Sequence, residues 1–312
     1  MRQLVKRVVL VCNPVFTYDK TGWSPHDDFL AGTEESVREW AWRIKDRGFD
    51  VEVYYNGQPT TYGGVNFFPY EAYIPGDIEI NIKHLDFEHA DPSRVWYLTN
   101  ETDIAYKEQE LSKFAGVILP SKWAMDNLHY HGNIKIVPHG YDPRMIYPDQ
   151  KILKQCLYSS SPDRGLDELL HYWPEVVRRD PEAFLVVTYG GVETTAPNVM
   201  FLGAVDEQTM STIYNTSDIW IHPCSGGELF CMAAVKAQVA QAVPVYYPVM
   251  ALTETVRWGV RTTSGNFVND LVSILNDPIR QQQIRYKLQS EHFSDWDDST
   301  DILLKAIGAL SE

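Results

Sequence analysis

Short runs of β-branched and aromatic residues alternate with longer amphipathic stretches along this 312-residue chain, in two successive series. Such alternation is typical of βαβ units that build a mainly parallel sheet. Between the two series, the segment HGYDPRMIYPDQK contains two prolines and one glycine, which indicates a linker. We therefore predict an α/β protein of two Rossmann-like domains, 1–144 and 145–293, with a further helix at about 294–312. Two such domains are expected to bind a ligand in a cleft beside the carboxyl ends of their strands.

The balance of charged residues limits the partners that this chain can have. It contains 42 Asp and Glu against 27 Lys and Arg, which gives a formal net charge of −15. Because this charge repels polyanions, we expect no extended nucleic-acid binding. The composition, with 44% apolar and 22% charged residues, excludes a disordered, collagenous or coiled-coil chain. We expect small or neutral partners and a monomer or homodimer.

The sequence gives no indication of a membrane span or of a metal site. No run of about 18 uncharged apolar residues is present, and the start MRQLVKRVVLVCNP leads directly into a predicted strand. We expect a cytoplasmic protein with at most peripheral membrane contact. The four cysteines form no C-x-x-C pair, a pattern that favours reduced thiols over a disulfide framework or a zinc site. No metal is predicted.

An arginine stands at the start of a predicted helix in the second domain. The predicted strand 155–159 is followed by a polar turn, and Arg164 directly precedes the main part of the predicted helix 165–179. A guanidinium beside the unpaired N–H groups of a helix start predicts a phosphate site. The alternative is that residues 159–161 and Asp163 only cap the helix while Arg164 is solvated.

A second motif follows the predicted strand 218–222. The loop after this strand contains Gly226 and Gly227, and Glu228 precedes a predicted helix 229–242 that contains Lys236. Eight residues of helix span about 12 Å and rotate by about 80°, so we expect Glu228 and Lys236 near one face of the helix at separate heights. This spacing suits a long ligand.

These motifs resemble those of the family 4 glycosyltransferases (glycosyl transferases group 1), which have the GT-B fold. The second domain carries S-S-P-x-R-G-L and E-x-F-C-x-x-A, with Phe201-Leu-Gly203 between them. The first domain carries Ala31-Gly32-Thr33-Glu34 and His139-Gly140-Tyr-Asp142 at the expected places. The ordered set covers nearly the whole chain. The resemblance implies two Rossmann-like domains facing a central cleft, with the C-terminal helix crossing back to the first domain.

The resemblance also implies an activity. A member of this family transfers a sugar from a nucleoside-diphosphate sugar to a hydroxyl acceptor, with retention of configuration and without a metal ion. The donor would be bound mainly by the second domain and the acceptor mainly by the first. We expect UDP or GDP as the nucleotide, no cofactor, and a glycan, a lipid-linked glycan or a small molecule as the acceptor.

Site residues follow from the resemblance position by position. Arg164 corresponds to the diphosphate-binding cation, and Glu228 to the first acid of the family's E-x7-E motif, which contacts sugar hydroxyls. The expected catalytic set is Arg164, Glu228, Lys236 and Asn100. The expected donor-binding set is Gly32, Thr33, Ser159, Arg164, Gly203, Gly227, Glu228, Leu229, Phe230, Cys231, Met232 and Lys236, with the main-chain N–H groups of 230–232 facing the phosphates.

Three positions depart from the family pattern. Lys236 replaces the second acid of E-x7-E, so this side chain either contacts phosphate, selects a different donor or is solvated. Ser159 replaces an arginine that many relatives have. The first-domain histidine is absent, and Asn100 and Glu101 are the nearest polar substitutes, although an asparagine there also suits a turn.

These departures leave two alternative functions open. The chain could be a GT-B protein that binds a nucleotide sugar without transferring it. It could also be a transferase that glycosylates modified DNA, which its net charge of −15 disfavours.

Overall fold

The computed structural model describes residues 6–12, 22–82, 91–99, 108–127, 129–189 and 195–310. The chain forms two compact units: unit 1 comprises Met1–Gly140 with Ser294–Glu312, and unit 2 comprises Tyr141–Phe293. Both units are layered α/β structures with a mainly parallel sheet, so the predicted α/β class is confirmed. The sequence analysis placed the division after residue 144, within the linker in which the units divide.

Unit 1 is built on a sheet of eight described strands in the order β3-β4-β2-β1-β5-β6-β7-β8. All neighbouring strands are parallel except the β3/β4 pair. The strands are β1 Arg7–Cys12, β2 Asp50–Tyr55, β3 Thr60–Tyr62, β4 Val65–Pro69, β5 Ile78–Ile82, β6 Val95–Leu98, β7 Gly116–Leu119 and β8 Ile134–Ile136. The described α-helices of this unit are α1 Gly32–Asp46, α2 Glu108–Leu111, α3 Lys122–Asn127 and, from the C-terminal segment, α10 Trp296–Ala306.

The C-terminal helix α10 is an integral part of unit 1 because it packs on α1. The Trp40 ring is fully buried, and its Nε1 donates to Ser299 Oγ at 2.9 Å. The ring also meets Trp296 edge-on, with ring centroids 5.8 Å apart. At the rim, Arg47 pairs with Asp297 at 3.2 Å and with Asp301. A buried aromatic contact surrounded by ion pairs thus attaches the last helix to the first.

Unit 2 contains a sheet of six described strands in the order β11-β10-β9-β12-β13-β14, and every neighbouring pair is parallel. The strands are β9 Ile152–Tyr158, β10 Phe184–Val187, β11 Val199–Phe201, β12 Ser217–His222, β13 Val243–Tyr246 and β14 Val260–Arg261. The described α-helices are α4 Leu166–Arg179, α5 Glu207–Thr216, α6 Met232–Val239, α7 Leu252–Thr255, α8 Phe267–Leu275 and α9 Pro278–Leu288.

Alternate side chains of the central strand β12 enter two separate cores. Ile219 and Ile221 pack in the core that includes residues of α4 and α8. Trp220 lies in the opposite core with residues of α5 and α6. Because successive residues of a strand point to opposite faces, this sheet is covered by helices on both sides, as expected of a doubly wound unit.

The described helices include none with the length and apolar character needed to span a membrane. The longest described helix, α1, has 15 residues, whereas a transmembrane helix needs about 20.

Candidate functional site

The order of strands in unit 2 places two loops side by side at the carboxyl ends of the central strands. After β9 the chain continues to β10 and β11 on one side, and it returns to β12 on the other side of β9. The loops that follow β9 and β12 therefore leave the sheet next to each other. In open parallel sheets, ligands bind outside the carboxyl ends of the strands at such a switch point.

Gly165 lies where these two loops touch. Its φ of +97° is in the left-handed region, and a Cβ at this position would overlap the carbonyl oxygen of Pro223. Only glycine fits here without a shift of backbone. The close contact places the start of α4 directly beside the loop that follows β12.

Arg164 lies across the second loop. Its NH1 donates to the carbonyl oxygen of Gly226 at 3.2 Å, and its Nε is 3.9 Å from Glu228 Oε1. A Cβ on Gly227 would overlap the guanidinium, so the glycine at this position makes room for Arg164. About 30% of the Arg164 side chain is exposed. Two residues that the sequence analysis predicted for the site are thus brought together, and the cation stays accessible to a ligand.

Glu228 is also in contact with His222, a residue outside the predicted site. His222 ends β12, is fully buried, and its ring stacks on Trp220 with centroids 4.9 Å apart. Its Nε2 is 3.2 Å from Glu228 Oε1, and its Nδ1 is 3.3 Å from Ser160 Oγ. A polar residue at the end of the otherwise apolar run Ile-Trp-Ile was the signal in the sequence.

Burial and the neighbours of His222 act on its pKa in opposite directions. Burial acts to lower the pKa of the imidazole, but Cys231, Cys224 and Glu228 together raise this pKa above its ordinary value. Burial also raises the pKa of the Cys231 thiol. His222 Nε2 is paired with Glu228 Oε1 at 3.2 Å.

The helix predicted for 229–242 is wrong at both ends: α6 covers Met232–Val239, so Glu228 lies in the loop. Cys231 precedes the helix with a φ of +70°, a left-handed conformation that an α-helix cannot contain. The predicted spacing of Glu228 and Lys236 along eight residues of one helix is therefore also wrong. Lys236 lies within α6 and is half-buried.

Several predicted donor-binding residues have other surroundings. Leu229 is buried, so only its main chain could meet a ligand. The hydroxyl of Ser159 lies 2.7 Å from the Tyr214 hydroxyl and accepts from Trp220 Nε1 at 3.3 Å. These contacts place the Ser159 side chain against α5, whereas Arg164 lies on the second loop. Gly203 follows β11 with a φ of +68°, and the space around its Cβ position is open.

The remaining predicted site residues fall into three groups. Some lie beside the two loops, some lie in unit 1, and one lies outside the described residues. Phe230 and Met232 flank Cys231 at the start of α6, so the main-chain N–H groups of 230–232 belong to this end of the helix. Gly32 and Thr33 begin α1 in unit 1, where Ser36 Oγ donates to the Gly32 carbonyl oxygen at 2.6 Å. The roles predicted for these residues stay predictions. The predicted residue Asn100 and its neighbour Glu101 lie outside the described residues.

Comparison with known sequences finds a family match within the second unit. Residues 155–277 match the family described as glycosyl transferases group 1, and both loops of the candidate site lie within this match. The phosphatidyl-myo-inositol mannosyltransferase of Mycolicibacterium smegmatis is 25% identical over 217 residues, which are 61% of this chain and 55% of that protein. The protein of the same name from Mycobacterium tuberculosis is 29% identical over 106 residues, 31% of this chain and 28% of that protein. The chain thus matches little more than half the length of the first relative.

Solved structures resemble the chain over almost its full length. Sucrose-phosphate synthase from Thermosynechococcus elongatus has a TM-score of 0.69 at 13% identity, covering 97% of this chain and 96% of that chain. WaaG, a glycosyltransferase involved in lipopolysaccharide biosynthesis, has a TM-score of 0.70 at 14% identity, covering 96% and 99%. At sequence identities this low, the likeness to solved structures shows only the fold. That fold is GT-B, as predicted.

The contact between the two loops can be tested with a pair of glycine variants. Gly165→Ala should lower the free energy of unfolding by about 2 kcal/mol or more, because both the left-handed backbone and the carbonyl of Pro223 oppose a methyl group. Gly203→Ala, with a similar φ and open space, should cost about 1 kcal/mol. Urea unfolding followed by tryptophan fluorescence measures both. Equal losses of unfolding free energy in the two variants would contradict the close contact between Gly165 and Pro223.

Proposed function

We propose a function for this chain from the premise that it is a GT-B-fold member of the group 1 glycosyltransferases. The chain transfers a sugar from a nucleoside-diphosphate sugar to a hydroxyl acceptor. The observation that carries this proposal is the position of Arg164 and Glu228 on adjoining loops at the switch point of unit 2. One supplies a cation and the other a carboxylate, and both remain partly accessible.

The two side chains suit the two parts of a nucleotide sugar. Negative charge develops on the diphosphate as the bond to the sugar breaks, and a fixed guanidinium stabilises this charge. Arg164 presents several N–H donors in a planar fork, a geometry that matches phosphate oxygens. Glu228 presents carboxylate oxygens that accept hydrogen bonds from sugar hydroxyls. The N-terminus of α6, which follows the same loop, adds a partial positive charge.

We extend the proposal to the course of the reaction. The sugar passes through an oxocarbenium-like state, and the acceptor attacks the face from which the diphosphate departs, with retention of configuration. The departing phosphate oxygen takes the proton of the acceptor hydroxyl, so no strong protein base is required. Arg164, assisted by Lys236, supplies the positive charge at the diphosphate, and the reaction proceeds without a metal ion.

The relatives suggest the substrates to test first. Because two of them are named phosphatidyl-myo-inositol mannosyltransferases, we propose a hexose donor, with mannose as the first sugar to test, and a polyol or glycan hydroxyl as the acceptor. The nucleotide is UDP or GDP. The four cysteines are buried and form no disulfide, which supports activity in a reducing compartment such as the cytoplasm.

A second candidate function is the binding of a nucleotide sugar without transfer. It is favoured by Lys236, which stands where the family pattern has its second acid. A thermal-shift panel of UDP-, GDP-, ADP- and TDP-sugars, followed by a donor-hydrolysis assay, separates the candidates. Binding without turnover supports this second function, whereas binding with turnover supports transfer.

Arg164→Ala and Glu228→Ala should each reduce kcat/KM for transfer by more than tenfold, which is about the effect of one lost charged contact. Arg178→Ala is the matched control, because Arg178 is an exposed arginine on α4 that pairs with Glu175. This control should keep its activity within about twofold. Wild-type rates in both site variants would show that the donor binds elsewhere.

Metal removal and product stereochemistry test the proposed course. Enzyme dialysed against EDTA should retain its full rate, because Arg164 and not a divalent ion stabilises the diphosphate. Proton NMR of the product should show the anomeric configuration of the donor. A rate that is lost with EDTA and restored by Mg²⁺ or Mn²⁺ would contradict metal independence, and an inverted product would contradict retention.

A further inference from the structure

The imidazole of His222 connects the two loops of the candidate site. Ser160 follows β9, Glu228 follows β12, and the two nitrogens of one buried ring reach both, at 3.3 and 3.2 Å. Stacking on Trp220, with an interplanar angle of 12°, fixes the plane of the ring. The core of unit 2 therefore fixes the direction in which Nε2 points toward the Glu228 carboxylate. The side chain of Glu228 is only 13% exposed.

Burial of a polar ring at this position is costly unless both nitrogens find partners. The preceding core residues of β12 are apolar or aromatic, and an apolar side chain would fill the same space without that cost. The ring instead fixes one oxygen of Glu228, since Oε1 lies 3.2 Å from His222 Nε2 and 3.9 Å from Arg164 Nε. A carboxylate oxygen in contact with both the imidazole and the guanidinium has little rotational freedom.

We propose that His222 is a positioning residue for the donor sugar, and that it acts by orienting the carboxylate of Glu228. The inference rests on the proposed function, because it assigns to Glu228 the sugar hydroxyls of a nucleotide-sugar donor. His222 itself is fully buried and does not touch the donor. Its removal lets the carboxylate turn toward Arg164, which weakens both the contact with the sugar and the cation available to the diphosphate.

A metal ion is the competing explanation for this cluster. The ligand atoms of His222, Cys224 and Glu228 lie within 4.8 Å of one another, and such atoms suit zinc. The guanidinium of Arg164 beside the same Glu228 oxygen opposes a divalent cation. Both ring nitrogens of His222 also have partners already, Nε2 in Glu228 Oε1 and Nδ1 in Ser160 Oγ.

The test is a double-mutant cycle between His222 and Glu228, read both in transfer kinetics and in the dissociation constant of the donor. The variants are His222→Leu, Glu228→Ala and the double variant, with UDP-glucose and GDP-mannose as probes. His171→Leu is the matched control, because His171 is an exposed histidine on α4. His222→Gln is the conservative variant, since its amide can donate to Glu228.

We expect His222→Leu to reduce kcat/KM about tenfold in the wild-type background and less than about twofold in the Glu228→Ala background, because its role acts through that carboxylate. His222→Gln should recover more than half of the lost activity, and His171→Leu should match the wild type. If His222→Leu does not fold, the cycle uses His222→Gln instead. The loss of kcat/KM is then smaller, but it must still disappear in the Glu228→Ala background.

Three results would overturn the inference. Equal losses in both backgrounds would show that His222 only supports the fold. Full activity of His222→Leu would show that it has no role. Stoichiometric binding of Zn²⁺ that His222→Leu abolishes would assign the cluster to a metal. If the wild-type protein binds the donor but does not turn it over, the same double-mutant cycle is measured with donor dissociation constants. If the wild-type protein binds no donor, the proposed function and this inference are both refuted.

Discussion

The candidate site depends on one close contact, in which Arg164 lies across the backbone of the loop that follows β12. Two glycines make this possible, since a side chain at Gly165 would overlap the carbonyl of Pro223 and a side chain at Gly227 would overlap the guanidinium. The contact holds together two loops that are 62 residues apart along the chain. The parallel order of β9 and β12 brings these loops together, and the glycines allow them to touch.

In the proposed function, this contact lets an acidic chain bind a diphosphate. The formal net charge of −15 repels a diphosphate at long range, but salt screens that repulsion beyond about 8–10 Å. At contact distance the local charges dominate. Arg164 is held by Gly226 and Glu228, and about 30% of its side chain is exposed. Held in this way, the guanidinium loses little further conformational freedom when it binds phosphate, which favours affinity.

The sequence predicted the architecture well because hydrophobic periodicity determines which segments enter a sheet. The strands β9 and β12 lie where the pattern indicated, with ends shifted by at most three residues. The helix α8 and the short β14 were not predicted, and α6 begins later than expected. The left-handed residue Cys231 explains the last error, because the same apolar residues fit a loop that packs into the core. The proposed role of His222 could not be predicted, since it depends on Ser160, 62 residues earlier in the chain, and on the loop conformation that brings Glu228 to the ring.

The central claim is that unit 2 recognises the diphosphate of a nucleotide, chiefly through Arg164. Isothermal titration calorimetry of the wild-type protein tests this most directly, by comparing UDP and GDP with uridine and guanosine. The account predicts that one nucleoside diphosphate binds at least tenfold more tightly than its nucleoside, since the charged contacts to phosphate are absent from the latter. Equal affinity for nucleoside and nucleoside diphosphate, or no binding of either, would contradict it.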